Sequence, residues 1–372
     1  LAIIQPGVQS DPNNQWGPQM VIAGTRPQQN RYLEEGVDTT WTSKTSPVSA
    51  AGIVLGVEAV KEFQILASNY TAEYGERAGG TMNKIWRSGT NAWHGSAYEY
   101  LRNSWFDAPG TFDHQLGLTE PPAFKRHQFG TAFGGPIKRD KHFFFVNYEA
   151  FRHVLGQTQV DTVPDPQARL GNLPCSAFKT APASCTGQPG TTLAAVPGFV
   201  GTSSFIIGAI NLLEPPCTPG APDVNGACDS YNVTSQRISE NFVVGKMDFT
   251  LGAKDNLSTS YKYDTSLSNT PQQNPNFNLR QRVHAQIFSL RETRIFSPNL
   301  LNTVTFGFNR TLFKWVNGAA IPIPASIGSP IVGNPSTNPF TLPNGGQMVP
   351  GNDQPVLPIV SITGLTSIAA IT

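Results

Sequence analysis

The four cysteines are the side chains with the clearest chemistry, and they lie close together in the chain. Cys175 and Cys185 form one near pair, and Cys217 and Cys228 form a second. Neighbour pairing closes short loops at little entropic cost, so we expect the disulfides Cys175–Cys185 and Cys217–Cys228. Free thiols are the open alternative, because the spacing lacks the CxxC pattern or the nearby histidine of a metal site. Disulfides would place the chain in an oxidising compartment.

No other set of residues has the spacing of a reactive site. None of the six histidines belongs to an HxH or HExxH pattern, and no GxSxG motif occurs. Gly130, Gly134 and Gly135 do not form the GxGxxG that opens a dinucleotide-binding helix. The sequence therefore predicts no catalytic residue, no cofactor and no metal site, and we expect the chain not to be an enzyme.

After Trp93 the chain alternates polar and apolar side chains over stretches of roughly ten residues, which is the pattern of β-strands. We predict strands at 93–106, 128–137, 142–152, 241–251, 257–267, 282–296 and 301–316. Short turns alternate along the chain with long polar loops, of which 155–237 is the longest. Short turns at one end and long loops at the other are typical of a transmembrane β-barrel.

In such a barrel one face of each strand meets lipid and the other faces an enclosed lumen. The predicted lipid-facing side chains are Val243, Met247, Phe249, Tyr261, Phe306 and Phe308. The predicted lumen-facing side chains are Lys246, Asp248, Lys262, Asp264 and Asn309. The pairs Lys246/Asp248 and Lys262/Asp264 either line a polar path or pair with one another or with a plug inside the lumen.

Composition agrees with a barrel. Only 14% of the residues are charged and 10% are aromatic, whereas average soluble proteins have about 25% charged residues. The net charge of +1 leaves no electrostatic footprint for nucleic acid. No stretch reaches the roughly 18 apolar residues of a membrane helix.

The segment 57–90 has a different pattern, with helical spacing at its start and two short strands after it. A globular segment directly before a barrel is typical of a plugged outer-membrane transporter. We therefore expect a mainly β protein in which a partial plug domain (α+β) precedes about seven antiparallel strands of an incomplete transmembrane barrel. The first residues show no Met, basic stretch or cleavage site, and the last stop inside an apolar stretch. We expect an internal fragment of a longer protein.

Three stretches carry a resemblance to a known family: GVDTTW (36–41), VEAVKEFQILASNYTAEYGERAGGTMNKIWRSGTNAWHGSAYEYLRN (57–103) and KRHQFGTAFGGPIKRDKHFFFVNYEAFR (125–152). They resemble TonB-dependent outer-membrane receptors, and more narrowly the Oar-like branch with its carboxypeptidase-regulatory-like N-terminal domain. By this resemblance, residues 1–90 are the C-terminal part of the plug and residues 91–372 are the N-terminal part of the barrel.

The resemblance implies energised uptake across a Gram-negative outer membrane. Ligand would bind from outside on loops and the plug apex, and TonB would pull on the plug through a segment missing from this fragment. The implied partners are outer-membrane lipid, TonB and an extracellular ligand of the carbohydrate or peptide class, with no nucleic acid. The alternative is a secreted or surface β-rich adhesin or glycan-binding module.

Three residues depart from the family pattern. Glu34 stands where the family usually has an apolar residue, and Lys84 and Trp86 stand where it favours small or β-branched residues. We expect these departures to disturb the plug sheet locally.

Overall fold

The computed structural model describes residues 6–11, 19–40, 49–52, 55–67, 71, 74–108, 119–121, 123–178, 183–195, 214–221 and 223–319. Two sheets dominate these residues, one of four strands and one of eight antiparallel strands. Within the same ranges, no helix has both the length and the apolar character needed to cross a membrane.

The smaller sheet, called the plug sheet below, contains β3 (Arg31–Glu34), β4 (Val37–Asp38), β5 (Val60–Leu66) and β6 (Thr81–Trp86). A hairpin of β1 (Val8–Asp11) and β2 (Gln19–Ile22) precedes it, and 3-10 turns lie at Pro27–Gln29 and Val57–Ala59. The strand order is β4-β3-β6-β5, with β3 parallel to β6. Its core is formed by Val8, Ile22, Tyr32 and Met82.

The larger sheet, called the wall, pairs each long strand with the next in the chain. Its strands are β7 (His94–Asn103), β8 (Phe124–Lys138), β9 (His142–Pro164), β13 (Ala227–Thr250), β14 (Asp255–Pro271), β15 (Phe277–Ser297) and β16 (Leu300–Ala319). Between β9 and β13 lie the helix α1 (Pro166–Arg169) and the short strands β10 (Asn172–Pro174), β11 (Gly190–Thr192) and β12 (Asp223–Val224). The mainly β fold, with a plug sheet before antiparallel strands, confirms the predicted fold class.

The predicted loop 155–237 is wrong at both ends. Strand β9 continues to Pro164 and β13 begins at Ala227, and the two pair residue by residue from Ala227↔Pro164 to Phe249↔His142. At about 3.3 Å per residue, the 24 residues of β13 extend far beyond an apolar band about 25 Å tall. In the extension one face is buried but partly polar, with Asp161 and Ser230 beside Val163 and Cys228, so no apolar alternation marks it in the sequence.

The connections at 139–141, 251–254 and 298–299 lie at one end of the wall, while those at 104–123, 165–226 and 272–276 lie at the other end, where the two longest are found. In barrels of this kind the short turns are periplasmic and the long loops extracellular. The 3-10 turn Ser104–Phe106 ends the first strand earlier than predicted.

The two predicted disulfides are present. Cys175 bonds to Cys185, and Cys217 bonds to Cys228. Cys228 is the second residue of β13. Thr218, which follows Cys217, donates its backbone N–H to Asp229 O of β13 at 3.0 Å. The second disulfide therefore fixes the end of the long loop to the wall.

Candidate functional site

The contact between the plug sheet and the wall is where charged side chains converge. Glu34 and Glu35 lie at the end of β3, and Lys84 is the register partner of Glu34 on β6. Lys84 Nζ lies 2.8 Å from Glu34 Oε1, and Lys262 Nζ of the wall lies 2.9 Å from the same oxygen. Lys246 Nζ, also of the wall, lies 2.8 Å from Glu35 Oε1. All five side chains are buried.

At Glu34 and Lys84 the departures from the family pattern do not disturb the plug sheet. Strands β3 and β6 stay in register from Arg31↔Thr81 to Glu34↔Lys84, because the two unusual charges neutralise each other across neighbouring strands. At Trp86 the pairing of β5 with β6 is irregular, since the register shifts between Val60, which pairs with Trp86, and Glu62. Trp86 itself is buried against Phe242 of the wall with ring centroids 6.0 Å apart.

Glu34 remains ionised although it is almost inaccessible to water. Burial raises the pKa of its carboxyl, but the charges of Lys262 and Lys84 and their hydrogen bonds outweigh burial and lower that pKa to about 2. A buried ion pair gains little net stability after desolvation, yet removal of one partner is strongly destabilising. The cluster therefore specifies how the plug sheet docks more than it adds to stability.

The β3–β4 hairpin adds further hydrogen bonds to this contact. Glu35 has a φ of 50° and Gly36 a φ of 79°, which directs the turn toward the wall. Trp86 N–H donates to Glu35 Oε1 at 2.7 Å, and Arg291 Nη2 of the wall donates to Glu35 O at 2.6 Å. Asn309 Nδ2 donates to Asp38 O at 3.1 Å. With the ion pair of Lys246, strands β13, β15 and β16 are thus bound to one hairpin of the plug sheet.

A second contact joins residues 49–52 and 55–59 to β9, β13 and β14. Gly56 N–H donates to Glu149 Oε2 at 2.7 Å, and Ser49 Oγ donates to Glu240 Oε2 at 2.7 Å. Ala50 N–H donates to Ser266 Oγ at 2.7 Å. Apolar packing accompanies these bonds in one cluster of Leu55, Ala59, Trp86, Ala132, Phe145, Phe151, Phe242 and Val244.

Four of the five residues predicted to face the lumen lie at this plug contact. Lys246 and Lys262 bind plug carboxylates, Asn309 binds a plug carbonyl, and the Asp264 carboxyl interacts with Lys262 and Glu34. Asp248 instead accepts from Ser258 Oγ at 2.7 Å within the wall. That these side chains line a lumen remains a prediction.

The acids of these two contacts were not predicted as binding partners. Glu34 was noted only as a departure from the family pattern, and Glu35, Glu149 and Glu240 were not singled out. The alternation of side chains along the strands contained the available signal. Asn147, Glu149 and Phe151 lie on one face of β9, and Lys246 pairs with Phe145, which lies on that same face. Among the described residues, no group of three His, Cys, Asp or Glu side chains is arranged to hold a metal ion.

A protein-family model described as an outer membrane beta barrel domain matches residues 85–369. Over 160 residues the chain is 30% identical to the TonB-dependent transporter Oar of Myxococcus xanthus, which covers 40% of this chain and 13% of that protein. The crystal structure of the outer membrane transporter YddB from Escherichia coli aligns with a TM-score of 0.51 at 13% identity. That alignment covers 83% of this chain and 36% of YddB, so the chain spans a minor part of both relatives.

Proposed function

The chain belongs to the family of outer membrane beta barrel domains and is similar to the TonB-dependent transporter Oar, and from that premise we propose that it is part of an energised transporter of the TonB-dependent receptor family. The protein resides in the outer membrane of a Gram-negative cell. Ligand is captured on the long-loop side, TonB pulls the plug away from the wall, and the ligand passes without covalent change. The Oar resemblance favours a carbohydrate or peptide ligand.

The observation that carries this proposal is the polar character of the plug contact. Lys246 and Lys262 hold the plug sheet through two buried ion pairs beside the apolar cluster around Phe242. In water an ion pair at 4 Å is worth only about 1 kcal/mol. Once pulling admits water, the separated charges are rehydrated, so these ion pairs add little resistance to opening of the contact.

The test follows the exposure of one plug side chain in living cells. Ala59 is fully buried in the cluster between plug and wall, while Val57, two residues earlier, is 53% exposed. In cells with TonB and a proton gradient, we expect Ala59→Cys in the full-length protein to react with a maleimide several-fold faster than in cells without TonB. Val57→Cys serves as the control and should react at one rate in both strains.

The same experiment can refute the proposal. Equal labelling of Ala59→Cys with and without TonB would mean that the plug contact does not open under force. A proton-gradient uncoupler added to TonB-containing cells should lower the rate to that of the TonB-deficient strain. Rapid labelling of Ala59→Cys in the purified protein would instead show that the contact opens without any energy input.

A further inference from the structure

A group of cationic side chains lies on the outer face of the wall, which is the face opposite to the plug contact. Because side chains alternate along a strand, Arg310 and Lys314 of β16 share this face with the exposed rings of Phe306 and Phe308. The exposed cations of this face toward the long-loop end, called the Arg282 patch below, are Arg237 of β13, Arg280 and Arg282 of β15, and Arg310 and Lys314 of β16.

The register of the strands brings four of these cations close together. Arg282 and Lys314 are direct partners between β15 and β16. Asn269 of β14 pairs with Arg237 on one side and with Arg280 on the other. Since neighbouring strands lie about 4.8 Å apart and alternate residues about 7 Å apart along a strand, each of the four Cα atoms lies within about 10 Å of another.

No carboxylate neutralises the Arg282 patch. Within the parts of the chain that the structure describes, none of its cations forms an ion pair. The outer face of β13 to β16 also carries no Asp or Glu from the level of Arg310 to that of Arg237. Like charges directly opposite each other in an antiparallel pair are destabilising, so Arg282 and Lys314 repel each other unless an anion lies between them.

The short-turn end of the same strands is different. Arg294 lies on the same strand and the same face as Arg282, but near the turn that leads to β16. Its Nε lies 3.4 Å from Asp255 Oδ1, and Glu292 lies two residues away on that face. The excess of positive charge on the outer face of β15 therefore belongs to the long-loop end.

The Arg282 patch continues directly into apolar surface. Arg310 follows Phe308 by two residues on β16, and Phe308 pairs with Phe288 of β15. A molecule that covers both surfaces must carry negative charge at one end and apolar groups at the other. Because long loops are extracellular in barrels of this kind, the patch lies at the level of the headgroups of the outer leaflet.

We propose that the Arg282 patch binds the phosphate groups of a lipid of the outer leaflet, whose acyl chains lie on Phe306 and Phe308. A guanidinium donates two parallel hydrogen bonds to a phosphate, which makes arginine the preferred partner of such groups. A headgroup with two phosphates matches cations that extend over three strands better than a single phosphate does. The inference goes beyond the proposed transport, because it concerns the lipid-facing side of the wall and needs neither TonB nor the plug.

The test measures the affinity of lipid A for the purified full-length protein in a neutral detergent with EDTA, by native mass spectrometry. We expect lipid A, which carries two phosphates, to bind at least tenfold more tightly than phosphatidylcholine, whose headgroup has no net charge. Its monophosphoryl form should lie between the two. Arg282→Gln should weaken the binding of lipid A at least fivefold. Arg294→Gln is the matched control on the same strand and face, and it should change the affinity less than twofold.

Two of the possible results overturn the proposal directly: equal binding of lipid A and phosphatidylcholine, and unchanged affinity for lipid A in Arg282→Gln. Complete displacement of lipid A by millimolar inorganic phosphate also overturns it, because the site would then bind a free anion. If Arg282→Gln fails to fold, Lys314→Gln gives the same comparison at its exposed register partner. These measurements need no TonB, so their failure would leave the labelling of Ala59→Cys unaffected.

Discussion

Glu34 joins three strands through one carboxylate. Its Oε1 accepts from Lys84 of its own sheet and from Lys262, 228 residues further along the chain. Because Glu34 is buried, these two ammonium groups, and not water, stabilise its negative charge. A residue that departs from the family pattern is thus compensated by two lysines, one local and one distant.

Glu34→Gln should therefore loosen the plug. The change leaves Lys84 and Lys262 buried without their carboxylate, which costs about 3–5 kcal/mol for a broken buried pair. Hydrogen–deuterium exchange of β6 amides in the full-length protein should rise accordingly. Glu62→Gln is the control: Glu62 is exposed on β5 of the same sheet, and its change should stay within about 0.5 kcal/mol. Unchanged β6 protection in Glu34→Gln would contradict the assigned role.

Gly56 is the second residue on which the docking of the plug depends. It has a φ of 89°, and a Cβ at this position would lie 2.5 Å from Cζ of Phe242. Gly52 has a comparable φ of 67° but open space around the same position. Alanine substitution at these two glycines distinguishes two effects. Backbone strain would arise at both positions, whereas a steric clash with the wall would arise only at Gly56.

Gly56→Ala should destabilise the plug contact more than Gly52→Ala does. Both changes carry the left-handed strain of roughly 1–2 kcal/mol, but only the former also displaces the Phe242 ring and weakens the hydrogen bond to Glu149. Exchange of the β5 and β6 amides reports the difference. Phe242→Leu in the Gly56→Ala background should restore part of the loss. Equal effects of the two glycine changes would show that Phe242 yields without cost.

At the scale of elements, the long loop between β9 and β13 is fixed to the wall by polar contacts as well as by a disulfide. Arg169 Nη2 donates to Pro215 O at 2.6 Å, and Asn274 Nδ2 of the β14–β15 connection donates to Glu214 Oε2 at 3.3 Å. Burial, and then the charge of Asp161, raise the pKa of Glu214 to about 7, while Arg169 opposes them. Glu214 is therefore largely protonated in acid and ionised in base.

The docking of residues 214–221 should accordingly depend on pH. In the unfolded chain the Glu214 pKa is near 4.5, so the folded loop binds the proton more tightly. Stability from this group is thus complete below pH 4.5 and is lost as the pH rises to about 7. Hydrogen exchange of residues 214–221, corrected for its intrinsic rate, should be at least about threefold faster at pH 8 than at pH 5.5. Glu214→Gln should abolish the difference; a wild-type-like dependence in that variant would refute the assignment.

At the scale of the whole molecule, one face of the wall carries an apolar band. Met247, Tyr261, Phe306 and Phe308 are roughly half exposed on that face. The apolar band ends where the residues on this same face of the strands become polar, at Arg152, Asn241, Gln286 and Arg310. Long strands continue beyond it toward the loops, as expected when only part of each strand meets lipid.

Phe306→Arg should therefore impair membrane assembly. Phe306 lies in the middle of the band on β16, where an arginine costs about 2–4 kcal/mol, whereas near an interface the cost is about 0–1 kcal/mol. Leu312→Arg, beyond Arg310 on the same face, is the matched control. The amount of heat-modifiable folded protein in outer-membrane fractions measures the effect. Equal yields of the two variants would show that the band does not contact lipid.

Local patterns in the sequence determined much of this protein. Alternation identified every long strand of the wall and separated Met247 from Lys246, because the side-chain period of a strand is a local property. Neighbour spacing gave the two disulfides, since short loops close at little cost. The short turns at 139–141 and 251–254 were placed almost correctly for the same local reason.

Tertiary structure alone decided how far the strands extend and which charges meet. The ends of β9 and β13 are defined by backbone hydrogen bonds between strands 63 residues apart at their closest, Pro164 and Ala227. Polar residues such as Asp161 and Ser230 occupy the buried face there, so no apolar pattern marks these ends. The partner of Lys246 is Glu35, 211 residues away. No local signal encodes such a pair, because it exists only once the plug sheet has docked against the wall and excluded water from both charges.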